Sequence, residues 1–168
     1  MRDVGGGFMK RKVNPRTVRI KNITKVRTAY IMWKDIPIAT ISEERNDADE
    51  RDWVFRPNYK NIEKARATGG NVFIPGIDLD LHKKEYIRNY VPAFVEERTI
   101  PLGRPDLYEM MDRIRLPQYD LFEFMCRTHS ACGNNDLYVS RTPDKVIDVN
   151  DPKFPFDVPE DTRYDYDW

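Results

Sequence analysis

Thr28-Ala29-Tyr30-Ile31-Met32-Trp33-Lys34-Asp35-Ile36-Pro37-Ile38-Ala39-Thr40-Ile41 carries the strongest strand signal in the chain. Its first half is rich in aromatic and β-branched residues, and its second half sets a large apolar residue at every second position. Both patterns suit a pleated, half-buried surface, and the polar pair Lys34-Asp35 between them reads as a tight turn. A β-hairpin is the expectation. Downstream, Trp53-Val54-Phe55 predicts a third short strand stopped by Pro57, which cannot donate to a ladder. Residues 42–52 are almost all charged or polar and predict a solvated loop without functional weight. Tyr59 to Ala67 predicts a short helix ended at Gly69-Gly70, and residues 71–76 another extended piece.

The C-terminal half changes period. Pro92 opens a short helix and Pro105 a longer one. On the second, Leu107, Met110, Met111 and Ile114 fall at i, i+3, i+4 and i+7, which makes one apolar stripe. Asp120-Leu121-Phe122-Glu123 has the form of a capping box at the start of a further helix. That helix should stop before Gly133, and Leu137-Tyr138-Val139 predicts a closing strand. Strands first, then a helical hairpin, then a strand is an α+β order. The expected architecture is a small antiparallel sheet or partial barrel led by the hairpin, with a C-terminal helical hairpin. A basic flexible arm over 1–25 would precede a domain spanning 26–142, and an extended acidic and aromatic tail over 143–168 would follow it.

Composition narrows the function classes. The chain has 168 residues, 40% of them hydrophobic, and carries 28 Lys and Arg against 28 Asp and Glu. Zero net charge provides no bulk field toward nucleic acid or an anionic membrane. The charge is instead polarised: nine bases and one acid over 1–27, eight acids and four bases over 141–168. Two cysteines make no disulfide framework, and no apolar run follows the N-terminal bases, so a cytoplasmic protein without a signal peptide is expected. The tail alternates Pro152, Pro155 and Pro159 with Phe154 and Phe156 and ends in Tyr164, Tyr166 and Trp168; its aromatics either pack back onto the body or dock into a partner.

Chemistry-bearing motifs are sparse. Gly5-Gly6-Gly7 lacks the strand and helix that would make it a phosphate loop. Cys126-x-x-His129-x-x-Cys132 offers three potential metal ligands where a closed structural zinc site uses four, and Cys126 lies among Phe122, Phe124 and Met125, the setting of a buried thiol. No metal or other cofactor is assigned. His82 has no serine or cysteine partner in sequence, and Asp106 and Glu109 sit in a first helical turn, where acids complement the helix dipole. No catalytic constellation emerges.

The order and spacing resemble the N-terminal subdomain of HipA-type toxin kinases over residues 28–142. The hairpin at Ala29–Thr40, Phe55-Arg56-Pro57-Asn58-Tyr59, Val72-Phe73-Ile74-Pro75-Gly76-Ile77, the run from Val91 to Pro101 and the segment Tyr119–Val139 each match a piece of that family. The family's Gly-Arg-Asp turn is represented only by the run from Ala131 to Leu137. The resemblance implies a chain that stops where the kinase body would begin, hence no phosphoryl transfer of its own. It also implies a partner: in some toxin–antitoxin operons this subdomain is a separate protein that binds and neutralises a HipA-like kinase, alongside a HipB-like DNA-binding protein. Exposed aromatics are the usual anchors of such an interface, which nominates Trp53, Tyr59, Phe94, Tyr164, Tyr166 and Trp168. The alternative is a nucleic-acid-binding accessory protein of a mobile element or phage, engaging phosphates through Lys10, Arg11, Lys12, Arg16 and Arg19.

Overall fold

The computed structural model describes residues 27–46, 48–130, 136–144 and 156–158. The expected hairpin forms from β1 (Arg27–Trp33) and β2 (Ile36–Arg45), with Lys34 in the left-handed region at φ 52°. The ladder slips between Ile31 and Met32, where Met32 faces Pro37. A proline has no N–H to give a ladder, and a bulge is where a strand tolerates one. β3 (Arg51–Pro57), β4 (Tyr86–Arg88) and β5 (Leu137–Ser140) complete an antiparallel sheet of order β4-β3-β2-β1-β5. With four helices, α1 (Tyr59–Ala67), α2 (Ala93–Glu97), α3 (Asp106–Arg113) and α4 (Leu121–Arg127), the fold is α+β.

Most of the core lies on one sheet face. Ala29, Ile31, Ile41, Trp53, Phe55 and Val139 meet Ile62 and Ala65 of α1, Phe94 and Val95 of α2, and Phe122 and Cys126 of α4. Trp53 stacks on Phe122 with ring centroids 6.4 Å apart, and Phe55 meets Phe94 edge-on at 6.2 Å. Each such large side chain is worth about 3–5 kcal/mol against truncation to alanine. α1 is fixed to β2 by hydrogen bonds to the β2 backbone: Asn58 N–H donates to Ile38 O at 2.8 Å, and Asn61 Nδ2 to Pro37 O at 2.9 Å. A smaller cluster joins α3 to α4 through Leu107, Met111, Ile114 and Phe124, three of them from the apolar stripe. Among the described residues no helix is long and apolar enough to cross a membrane.

Two expectations need correction. β2 runs on to Arg45 and β3 starts at Arg51, so most of 42–52 is strand, with Ser42, Glu43 and Asp52 buried. The alternation explains it: Glu43 continues the inward face of Ala39 and Ile41 and lies opposite both Arg27 and Trp53. Residues 71–76 join no sheet, and their Val72 and Ile74 are buried while Phe73 is exposed, the alternation of an extended piece. Glu123 does not close a capping box. Asp120 Oδ1 accepts from the Phe122 and Glu123 amides, while Glu123 turns to Arg127 and Arg141, whose charged donors bind a carboxylate more strongly than an amide does. The basic arm lies outside the described residues, as does all of the tail but 143–144 and 156–158.

Candidate functional site

Residues 71–88 loop past the β4 end of the sheet and enclose an open groove of about 410 Å³. Arg66, Val72, Phe73, Gly76, Ile77, Asp78, Leu79 and Asp80 line it. Its walls are held by hydrogen bonds rather than by regular structure. Arg66 Nη2 donates to Val72 O at 2.9 Å, Arg88 Nη2 to Gly76 O at 3.0 Å, and Tyr86 Oη to Asp78 O at 2.6 Å. Gly76 takes φ 81°, which disfavours any side chain there. Asp78 caps the following 3-10 turn, Leu79–Leu81, by accepting from Asp80 N–H at 3.1 Å. Of the lining residues Phe73 is 58% exposed; Leu81 and Ile87, in the same stretch of chain but outside the lining, are 59% and 51% exposed.

Tyr59 closes one side of the same region. Its ring stacks on His82 at 4.6 Å, with His82 held at φ 50°, and its hydroxyl donates to Lys83 O. Tyr86 spends its single hydroxyl proton on Asp78, so the 3.2 Å approach of the two phenol oxygens is a contact and not a third bond. Burial pushes the Tyr59 phenol above its ordinary range, leaving it a neutral donor at pH 7.

Across β1, β2 and β3 runs a buried ionic network that the sequence did not announce. Arg27 bridges Glu43 and Asp120, with Nε 2.8 Å from Glu43 Oε1 and Nη1 2.7 Å from Asp120 Oδ2. Arg51 reaches Glu43 at 3.1 Å, and Arg127 and Arg141 both bond Glu123, at 3.0 and 2.6 Å. Burial pushes the Glu43 carboxyl up against the pull of Arg27 and Arg51. For Glu123 burial also pushes upward, but Arg141 and Arg127 outweigh it and hold the carboxyl below its usual range. The network ties β1, β2, β3, α4 and the residue after β5 together. Its geometry is that of a structural clamp, enclosed and fully engaged internally.

Trp53 and Phe94 correct the nominated interface: both are wholly buried, at 0% exposure, and present no surface to a partner. Each faces the helix–sheet interior because its position in the pleat or helix turn does. Tyr59 alone of the nominated residues is both described and partly exposed. Tyr164, Tyr166, Trp168, Lys10, Arg11, Lys12, Arg16 and Arg19 lie outside the described residues. Phe73 and Leu81 were missed, although alternation offered a signal for Phe73: with Val72 and Ile74 inward, it must point out.

The Cys126–His129–Cys132 triplet is divided. Cys126 is in the core, and burial pushes its thiol up to about 12, far from the thiolate a metal binds. His129 is buried at φ 54°; its Nδ1 lies 2.9 Å from Val139 O and must carry the proton to bond there. Val139 N–H in turn donates to His129 O, so this loop takes both edge groups of β5 at that residue. Cys132 lies outside the described residues, among which no group of three metal-ligating side chains occurs. Comparison with protein-family models, with curated proteins and with solved structures finds no match to the chain.

Proposed function

We propose that the chain is a non-catalytic protein-binding module whose partner is a HipA-like Ser/Thr kinase, with the groove beside β4 as the contact surface. The observation that carries this reading is the exposure of Phe73 on the lining of a groove whose backbone is fixed by the Arg66, Tyr86 and Arg88 bonds. Large apolar side chains presented on a preorganised frame supply binding energy at small ordering cost. The sequence resemblance supplies the kind of partner: a short kinase chain lacking this subdomain, accompanied by a HipB-like DNA-binding protein. Docking there would block or stiffen the kinase and so regulate it.

The test is calorimetric titration of the full chain into such a kinase, purified alone. Phe73→Ala/Leu81→Ala should raise Kd by about 30-fold or more, since one anchor is worth about 2 kcal/mol. A kinase that does not bind the chain, or binds the wild type and the double variant alike, overturns the reading.

A further inference from the structure

Residues 156–158 return to the body although they are far from it in sequence. Phe156 and Val158 pack on the α3–α4 cluster next to Met110 and Tyr119. The Arg113 guanidinium stands 5.1 Å over the Phe156 ring. Between the two apolar side chains, Asp157 N–H donates to Arg127 O at 2.8 Å, a carbonyl near the end of α4. The Asp157 carboxylate adds to the negative field on the Arg141 guanidinium. All three residues remain half-exposed, so the segment lies on the surface and is not part of the core.

The segment finds an aromatic seat under an arginine, one main-chain acceptor and an apolar seat two residues on, with its acid acting on the Arg141 guanidinium. Side chains at i and i+2 of an extended segment share a face, which is how both apolar groups reach the cluster while the acid points elsewhere. The face is cationic through Arg113 and Arg141, whereas residues 141–168 carry eight acids to four bases. We infer that the α3–α4 face is a peptide-binding groove for an extended partner segment of aromatic–acidic–β-branched sequence, for which Phe156-Asp157-Val158 is the resident stand-in. The inference is independent of the kinase reading, which concerns the β4 end of the domain.

Tethering sets the expected size of the effect. A segment joined to its site within one chain meets it at an effective concentration of about 1 mM. If the free peptide binds an empty groove at about 100 μM, the resident segment weakens its binding by about tenfold. The probe is a synthetic peptide of residues 152–162, titrated by fluorescence polarisation into the full chain and into full-length Phe156→Ala/Val158→Ala. The double variant should bind about tenfold more tightly than the wild type, and a peptide carrying the same two alanines should not bind. Full-length Asp157→Pro, which loses the amide donor but keeps both apolar groups, should also gain affinity and serves if the double variant misfolds. Equal binding by wild type and variants, or no binding by any, overturns the inference. A concentration-dependent dimer of the wild type that the double variant lacks would instead assign the groove to a second copy and overturn the external partner.

Discussion

Arg27→Met tests whether the buried ionic clamp holds the sheet to α4. The substitution keeps an aliphatic stem and removes the guanidinium that now bonds Glu43 and Asp120 and lies 4.9 Å over the Phe122 ring. Removing one partner of a buried pair costs about 3–5 kcal/mol, because a desolvated charge is left behind. Here Glu43 keeps Arg51, and Asp120 keeps the two α4 amides, which places the loss near the lower bound, about 3 kcal/mol. The lost cation–π contact adds about 0.5–1 kcal/mol. For a chain of this length the sum lowers Tm by on the order of 10 °C. Urea unfolding followed by the fluorescence of buried Trp33 and Trp53, in a Trp168→Phe background, should show a lower midpoint at unchanged slope. Arg27→Met/Glu43→Leu removes the Arg27–Glu43 pair together, leaving Asp120 with its two α4 amides, and should recover part of the single variant's loss. A single-variant loss under about 1 kcal/mol, or a double variant no better than the sum of the singles, refutes the clamp.

Glu123 gives a pH dependence of known sign. Its folded carboxyl lies below the ordinary value, so the unfolded chain binds more protons in acid; the stability it contributes is present above about pH 4.3 and is lost as pH falls through the folded value. Glu43, pushed up by burial, acts in the opposite sense, so acid titrations of the wild type should be compared with Glu123→Gln, whose stability must fall less steeply below that pH. Cys126 should be inert to thiol reagents at pH 8 in a folded Cys132→Ser chain and react fully in concentrated guanidinium chloride; prompt reaction of the folded chain would contradict its burial and raised pKa. Gly70→Ala would set a methyl 2.7 Å from Trp33 Cε2 and 2.9 Å from Ala65 O, costing about 1–3 kcal/mol in the same urea assay, and an unchanged midpoint would show that Trp33 yields freely.

Several local patterns specify elements that the structure contains. The hairpin over 28–41, the helix over 59–67, the α3 stripe and the Asp120 cap are each specified by residues within one or two turns of chain, and the structure contains them. β4 was invisible because three residues carry no periodicity, and its existence depends on Trp53 and Phe55 presenting an edge for Arg88 and Tyr86. The α+β class, which follows from the order of elements, was therefore legible, while the full strand count was not.

The candidate site divides in the same way. By itself the sequence determined which residues are apolar, aromatic or charged and where the chain turns. Tertiary structure decided which of them meet water. Trp53 and Phe94 are enclosed while Phe73 and Leu81 are exposed, and residue type does not distinguish the two pairs. Glu43 is charged yet buried because Arg27, from the neighbouring strand, and Arg51 reach it in the folded chain. Phe156 and Val158 find their seats only where α3 and α4 come together. Burial is a property of the packed surface on which a residue lands, and that surface is assembled from segments far apart in the chain.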